Sequence, residues 1–243
     1  MVCAALYDAG SNDNDRGNGM EAHVAIDIDR KTTLAVFALI AGVLSLLLLV
    51  ASLQPPPASP GALLAMASSH RTAYGGFASL VLAWAVFSIP LIVTLGHLLR
   101  AHGGTLAAIA QLLSAIGVLL LGFAIFVHIG AVLSIVTASG FARAEDATYH
   151  AAIWSSLAYY LTDPGLMAWG LGQLLFGWIA WRSAVLPNWL AVLGIVGGVA
   201  GLLTLAVYQT SVLALVQLAS FTVWAFATGV TLLRARRTPL AGA

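Results

Sequence analysis

The hydrophobic positions of this chain fall into six long apolar runs separated by short polar breaks. Their length, rather than their period, is the signal. A run of about 20 apolar residues matches the ~30 Å hydrocarbon core of a bilayer at about 1.5 Å rise per residue. The runs predict spans at about 32–53, 74–98, 105–137, 162–182, 188–207 and 211–233. The predicted fold is all-α: a polytopic membrane protein, a bundle of six transmembrane helices over 31–235.

The first run is longer than the ~7–15-residue core of a signal peptide and reads as a retained span. Pro55, Pro56, Pro57 and Pro60 end it and open a loop. The second contains Pro90, which removes a backbone donor and crowds the Val86 carbonyl, so it predicts a kink and a candidate hinge. The third, at roughly 33 residues, would be roughly 50 Å long. It must tilt, break near Gly130, or project beyond the bilayer. A connecting segment with Arg143, Glu145, Asp146 and His150 follows. Its part from His150 to Tyr160 is expected to lie at the interface as a short amphipathic helix. Thr162-Asp163-Pro164 then opens the fourth span, with Asp163 in the N-cap position and Pro164 at N1.

The polar residues add an orientation. Residues 1–30 hold Asp8, Asp13, Asp15, Glu21, Asp27 and Asp29, six of the nine acids, and are expected to form a disordered cytoplasmic tail. Met20 is an alternative start. With the N-terminus inside, Arg16, Arg30, Lys31, Arg100, Arg182, Arg234, Arg236 and Arg237 fall on the inner side. Only Arg71 and Arg143 fall outside. The positive-inside rule then predicts both termini in the cytoplasm, in an inner or plasma membrane, with 236–243 as a short basic tail. The longer loops lie outside, and with the extended third helix they predict a small outward-facing cap.

Composition agrees: 60% of residues are hydrophobic and 8% charged, against roughly a quarter charged in soluble domains. A net charge of +1 offers no field for nucleic acid. The single cysteine, Cys3, excludes an intrachain disulfide and a zinc-type Cys cluster.

Candidate chemistry is sparse. His70, Arg71, His128, His150 and Asp163 are the outer-side candidates for a ligand, metal or acid/base site, with solvated loop residues and a helix cap as the plainer roles. No HExxH pattern accompanies them. No cofactor is predicted; a metal or a haem on His128 is the alternative, because no two histidines share a depth inside the bilayer. Gln111, Gln173 and Gln217 are candidates for interhelical hydrogen bonds or a polar path. Gly194, Gly197, Gly198 and Gly201 form two overlapping GxxxG spacings on the fifth span, for close packing within the bundle, a homo-oligomer or a membrane partner. Trp178, Trp181 and Trp189 around Arg182 read as an inner aromatic belt.

Leu186-Pro187-Asn188-Trp189-Leu190-Ala191-Val192-Leu193-Gly194, after Arg182-Ser183, resembles the opening of the fifth span in a widespread group of bacterial integral membrane proteins, domain of unknown function 4386. The resemblance implies a polytopic bacterial membrane protein and carries over no catalytic residues. Three functions stay open. The first is a non-catalytic accessory or interaction protein with a packed interior. The second is a transporter or channel for a small or apolar compound, which requires a cavity near Pro90 and the three glutamines. The third is a membrane enzyme or metal protein, which requires the outer-side residues to converge.

Overall fold

The computed structural model describes residues 13–53, 57, 59–138, 144–206 and 211–237. Six helices account for the regular structure among them: α1 (Asp13–Ser52), α2 (Pro60–Ser69), α3 (Arg71–Thr137), α4 (Ala144–Ser183), α5 (Asn188–Ala206) and α6 (Ser211–Arg237).

α3 is two helices in one. Gly104, at φ 51° and ψ −123°, leaves the helical region in its middle. The arms on either side fold back on each other. Positions of Gly75, Gly96 and Gly122 lie against Leu133, Gln111 and Ala85 respectively, which is an antiparallel register. The reversal sits where the sequence breaks between the predicted second and third spans, and Pro90 lies within continuous helix.

The same antiparallel logic runs through the bundle. Gly117 meets the Trp169 backbone, and Gly103 meets Ile179, so the second arm of α3 runs against α4. Gly177 meets Ala191 and Gly194, and Gly198 meets Gly170 and Leu174, so α4 runs against α5. Gly201 faces Gln217 across α5 and α6, and Gly42 faces Phe226 across α1 and α6. Glycine lets two backbones approach where any side chain would hold them apart. The glycines of α5 thus face the same chain: Gly194 and Gly198 meet α4, Gly201 meets α6, and Gly197 lies between Gln173 of α4 and Ser220 of α6. The α4 partners Gly170 and Gly177 stand seven apart and do not form a GxxxG spacing.

The centre is aromatic. Trp169 and Phe221 lie 5.1 Å apart between ring centroids, and Trp84 packs edge-on against Trp169 at 5.4 Å. The Trp84 indole N–H donates to Ser45 Oγ at 2.8 Å, tying α3 to α1. Leu91, Leu95, Leu99 and Leu190 are fully buried and belong to the same continuous core. Outward, Leu46, Val86, Leu112, Phe123, Val199 and Val223 are exposed. A belt of exposed aliphatic side chains over a packed core is what a lipid-facing surface requires.

Among the described residues, three helices are long and apolar enough to cross a membrane: Thr32–Ser52, Arg71–Thr137 and Val212–Arg234. Asn188–Thr204 is a shorter apolar helix, and α4 is not among them.

α1 itself begins at Asp13, within the predicted tail segment, and residues 1–12, with Cys3 and Asp8, lie outside the described residues. Three expectations change. The first loop contains α2. Ser59 caps it by accepting from the Ala62 N–H at 3.2 Å, and Pro60 occupies its first turn. There is no separate interfacial helix at His150–Tyr160, because this stretch is the first half of α4, packed along the end of α3. For the same reason Asp163 is not an N-cap. α4 continues through Pro164, and the Thr162 hydroxyl bonds the Ala158 carbonyl at 2.7 Å.

Candidate functional site

α2 closes over the end of the bundle where α3 and α4 run past the other helices. Leu63 and Ala67 bury against Val132, with Tyr74 and Val136 at the edge. Arg71 Nη2 donates to the Val136 carbonyl at 3.4 Å and ties the start of α3 to its far end. Arg143 lies outside the described residues.

Beneath α2 is a cleft of about 410 Å³. Pro57, Ser59, Pro60, Leu63 and Met66 form its roof; Tyr74, Ile125 and His128 of α3 form one wall. Ser155, Ala158, Tyr159 and Thr162 of α4 form the other. His128 is half-buried beside the Trp154 backbone, and its Nδ1 is buried without a hydrogen-bond partner. The hydroxyls of Ser155 and Thr162 are engaged by carbonyls of their own helix. A second, more open cleft of about 430 Å³ lies between the tip of α3 and the start of α4, and is lined by His150 and Trp154.

The five sequence-predicted residues do not form one site. His128 lines the first cleft and His150 the second. His70 sits exposed at the α2–α3 junction with Nδ1 2.8 Å from Ser69 Oγ. Arg71 is exposed and bonds backbone, and Asp163 is half-buried within α4. Among the described residues no group of three or more His, Cys, Asp or Glu is placed to hold a metal ion. Sequence reading missed Tyr74, Met66 and Tyr159 as cleft residues. The Ser-Pro pair at 59–60 was the available signal for the helix that roofs the cleft.

At the bundle centre the polar groups are buried. Gln173 and Gln217 are buried, and both polar atoms of Gln173 lack partners; Gln217 Nε2 reaches the Leu166 carbonyl at 3.3 Å. Neither cleft is lined by Pro90, Gln111, Gln173 or Gln217.

At the opposite end, the Gly104 reversal and the turn at 184–187 lie side by side. Arg100, Arg182 and Arg234 are exposed there, and Arg182 stacks over the Trp178 ring at 4.9 Å. Trp181 and Trp189 are exposed nearby.

These features define a class: an all-α apolar bundle, with helices fit to cross a membrane and a small helical cap. The chain belongs to the family called domain of unknown function 4386, whose model matches residues 33–235. No curated protein and no solved structure matches it.

Proposed function

We propose that this chain is a six-span protein of the inner or plasma membrane, with both termini cytoplasmic, that works by interaction rather than as a conduit or catalyst. The observation that carries the reading is the filled interior. Aromatic rings and glycine-mediated backbone contacts occupy the middle of the bundle, while open space described here lies at the capped end.

Six spans follow from counting the arms of α3 separately and including α4 and α5. α4 packs against α3 on one side and α5 on the other, so less of it need face lipid. Its lower hydropathy reflects Gly165, Gly170, Gly172, Gly177 and the buried Trp169, which serve that packing, and Trp178 and Trp181, which are exposed near Arg182. The antiparallel register gathers Arg100, Arg182 and Arg234 at one end, and in sequence Arg30 and Lys31 precede the span that starts there. The positive-inside rule makes that end cytoplasmic and the α2 cap outward.

One observation favours the transporter reading. Ser88, Gln111, Ser114, Gln173, Gln217 and Thr228 each carry a buried polar atom without a partner. Such atoms cost about 1–3 kcal/mol apiece when dry, and a file of water would satisfy them.

Cysteine accessibility tests both points. In a Cys3→Ser background, a membrane-impermeant thiol reagent should label Ser68→Cys in intact cells and Ala101→Cys only after permeabilisation. A small charged thiosulfonate should leave Ser88→Cys and Ser114→Cys unlabelled in the folded protein. Labelling of the two core positions would replace interaction with conduction. Labelling of Ala101→Cys from outside would reverse the orientation.

A further inference from the structure

We infer that the cleft beneath α2 binds an uncharged amphiphile, an acyl chain carrying a hydroxyl or ester headgroup, taken from the surrounding lipid. The inference rests on the membrane part of the reading above and not on its orientation or on the filled interior.

Three observations converge. The walls are chiefly apolar, with Leu63, Met66, Ile125 and Ala158 contributed by three separate helices, and the volume of about 410 Å³ lies in the ~300–1,000 Å³ range of small-ligand sites. Among the described residues, no Lys, Arg, Asp or Glu lines the cleft. A phosphate, carboxylate or ammonium headgroup would therefore lose its hydration with no opposite charge to replace it, which is prohibitive in an apolar site. The polar groups that remain are neutral. Ser155 and Thr162 have committed their protons to backbone carbonyls, which leaves the Ser59 hydroxyl proton, the Tyr74 and Tyr159 phenols and the His128 imidazole. A ligand with one or two hydrogen-bonding oxygens and an aliphatic chain matches that set.

The roof gives a route of entry. α2 is ten residues long and, among the described residues, holds the bundle through a small buried cluster of Leu63, Ala67 and Val132 with Leu64, Met66, Tyr74 and Val136 partly buried around it. A small cluster at the edge of a fold opens at far lower free energy than its core. Tyr159, largely exposed, stands at the lip, where an amphipathic ring suits a membrane–water boundary.

The test uses the full chain in nanodiscs of zwitterionic phospholipid and a diazirine-bearing monoacylglycerol as probe. The expected result is saturable labelling of peptides from α2 and from residues 155–162, competed by unlabelled monoacylglycerol. The same chain ending in a phosphate or a trimethylammonium group should label at least tenfold less. Ala158→Trp, which fills the cleft, should lower labelling at least tenfold at unchanged melting temperature. If that variant melts early, Met66→Trp, on the roof and outside the bundle, replaces it. His128→Phe should weaken competition by roughly tenfold, the loss of one hydrogen bond. Unsaturable labelling spread over exposed faces such as that of α1, equal labelling by a charged analogue, or full labelling in the filled variants would overturn the inference. Labelling does not depend on which side the cap faces or on whether the core cysteines react, so its failure is separable from failure of the proposed topology or function.

Discussion

Replacing Gly198 with alanine should destabilise the bundle by about 2 kcal/mol, while the same change at Gly130 should stabilise it by about 1 kcal/mol. A Cβ on Gly198 would lie 2.5 Å from the Leu174 backbone nitrogen and 2.7 Å from the Gly170 carbonyl oxygen. Ordinary contact begins at 3.4 Å, so α4 and α5 must part by 3.4 − 2.5 = 0.9 Å. No flexible side chain can yield, because both neighbours are backbone. That places the penalty near the top of the 1–3 kcal/mol range for overpacking, at about 3 kcal/mol. Alanine returns about 1 kcal/mol through helix propensity. At Gly130 nothing lies within 4 Å, so only the propensity gain remains. The difference between the two variants cancels propensity and isolates the helix contact, at about 3 kcal/mol or roughly 150-fold in the unfolding constant. Reversible unfolding in mixed micelles by SDS titration, followed by tryptophan fluorescence, measures it. A difference below about 1 kcal/mol would refute close backbone packing as the bond between α4 and α5.

Other changes probe other causes. Gly104→Ala meets no neighbour within 4 Å, yet φ 51° with ψ −123° suits glycine alone, so the same titration should read a loss of about 1–3 kcal/mol from conformation only. Ala184 is the converse, a non-glycine residue at φ 52° after the end of α4; Ala184→Gly should raise stability by about 1 kcal/mol. Trp84→Phe removes the 2.8 Å bond and strands the Ser45 hydroxyl, costing about 1–3 kcal/mol, and adding Ser45→Ala should restore part of it. No restoration in the double variant would place the cost in aromatic packing instead. Ser59→Ala should free the α2 N-terminus by about 1 kcal/mol, seen as faster amide exchange across 60–69 with α3 unchanged.

The apolar segments were legible because length alone distinguishes them. Crossing ~30 Å takes about 20 residues, and no local ambiguity of helix against strand survives a run that long. The reversal after Arg100 was legible too, since a short polar break with Gly103-Gly104 marks it. The errors arose where punctuation residues were read as boundaries. Pro55 to Pro60 read as loop, although Ser59-Pro60 is also how a helix starts. Asp163-Pro164 read as a helix start, although a proline inside a long helix gives up one hydrogen bond and can be carried by packing on both sides. The cleft was not legible at all. Its walls come from residues near 63, 125 and 158, and only the fold-back at Gly104 together with the length of α4 brings them to one place. His128 was singled out for its position along the third run, but its neighbours were not, because Tyr74 and Tyr159 look like ordinary interface aromatics in sequence.

The distribution of polar groups against space argues for where function resides. Gln173 and Gln217 are the most polar side chains in the core, and both are held against glycine positions of α5 where a single added carbon would collide with them. Groups so confined can specify register between helices, as buried polar residues do in coiled coils. At the capped end the relation inverts: His128, Tyr74 and Tyr159 border open volume beneath a helix held by a small buried cluster. The end bearing Arg100, Arg182 and Arg234 has charge and a tryptophan belt, which anchor a bundle at a membrane surface without enclosing anything. On the proposed reading, glycine-packed helices at the centre leave the capped end, where polar groups border open volume, as the place for a second molecule.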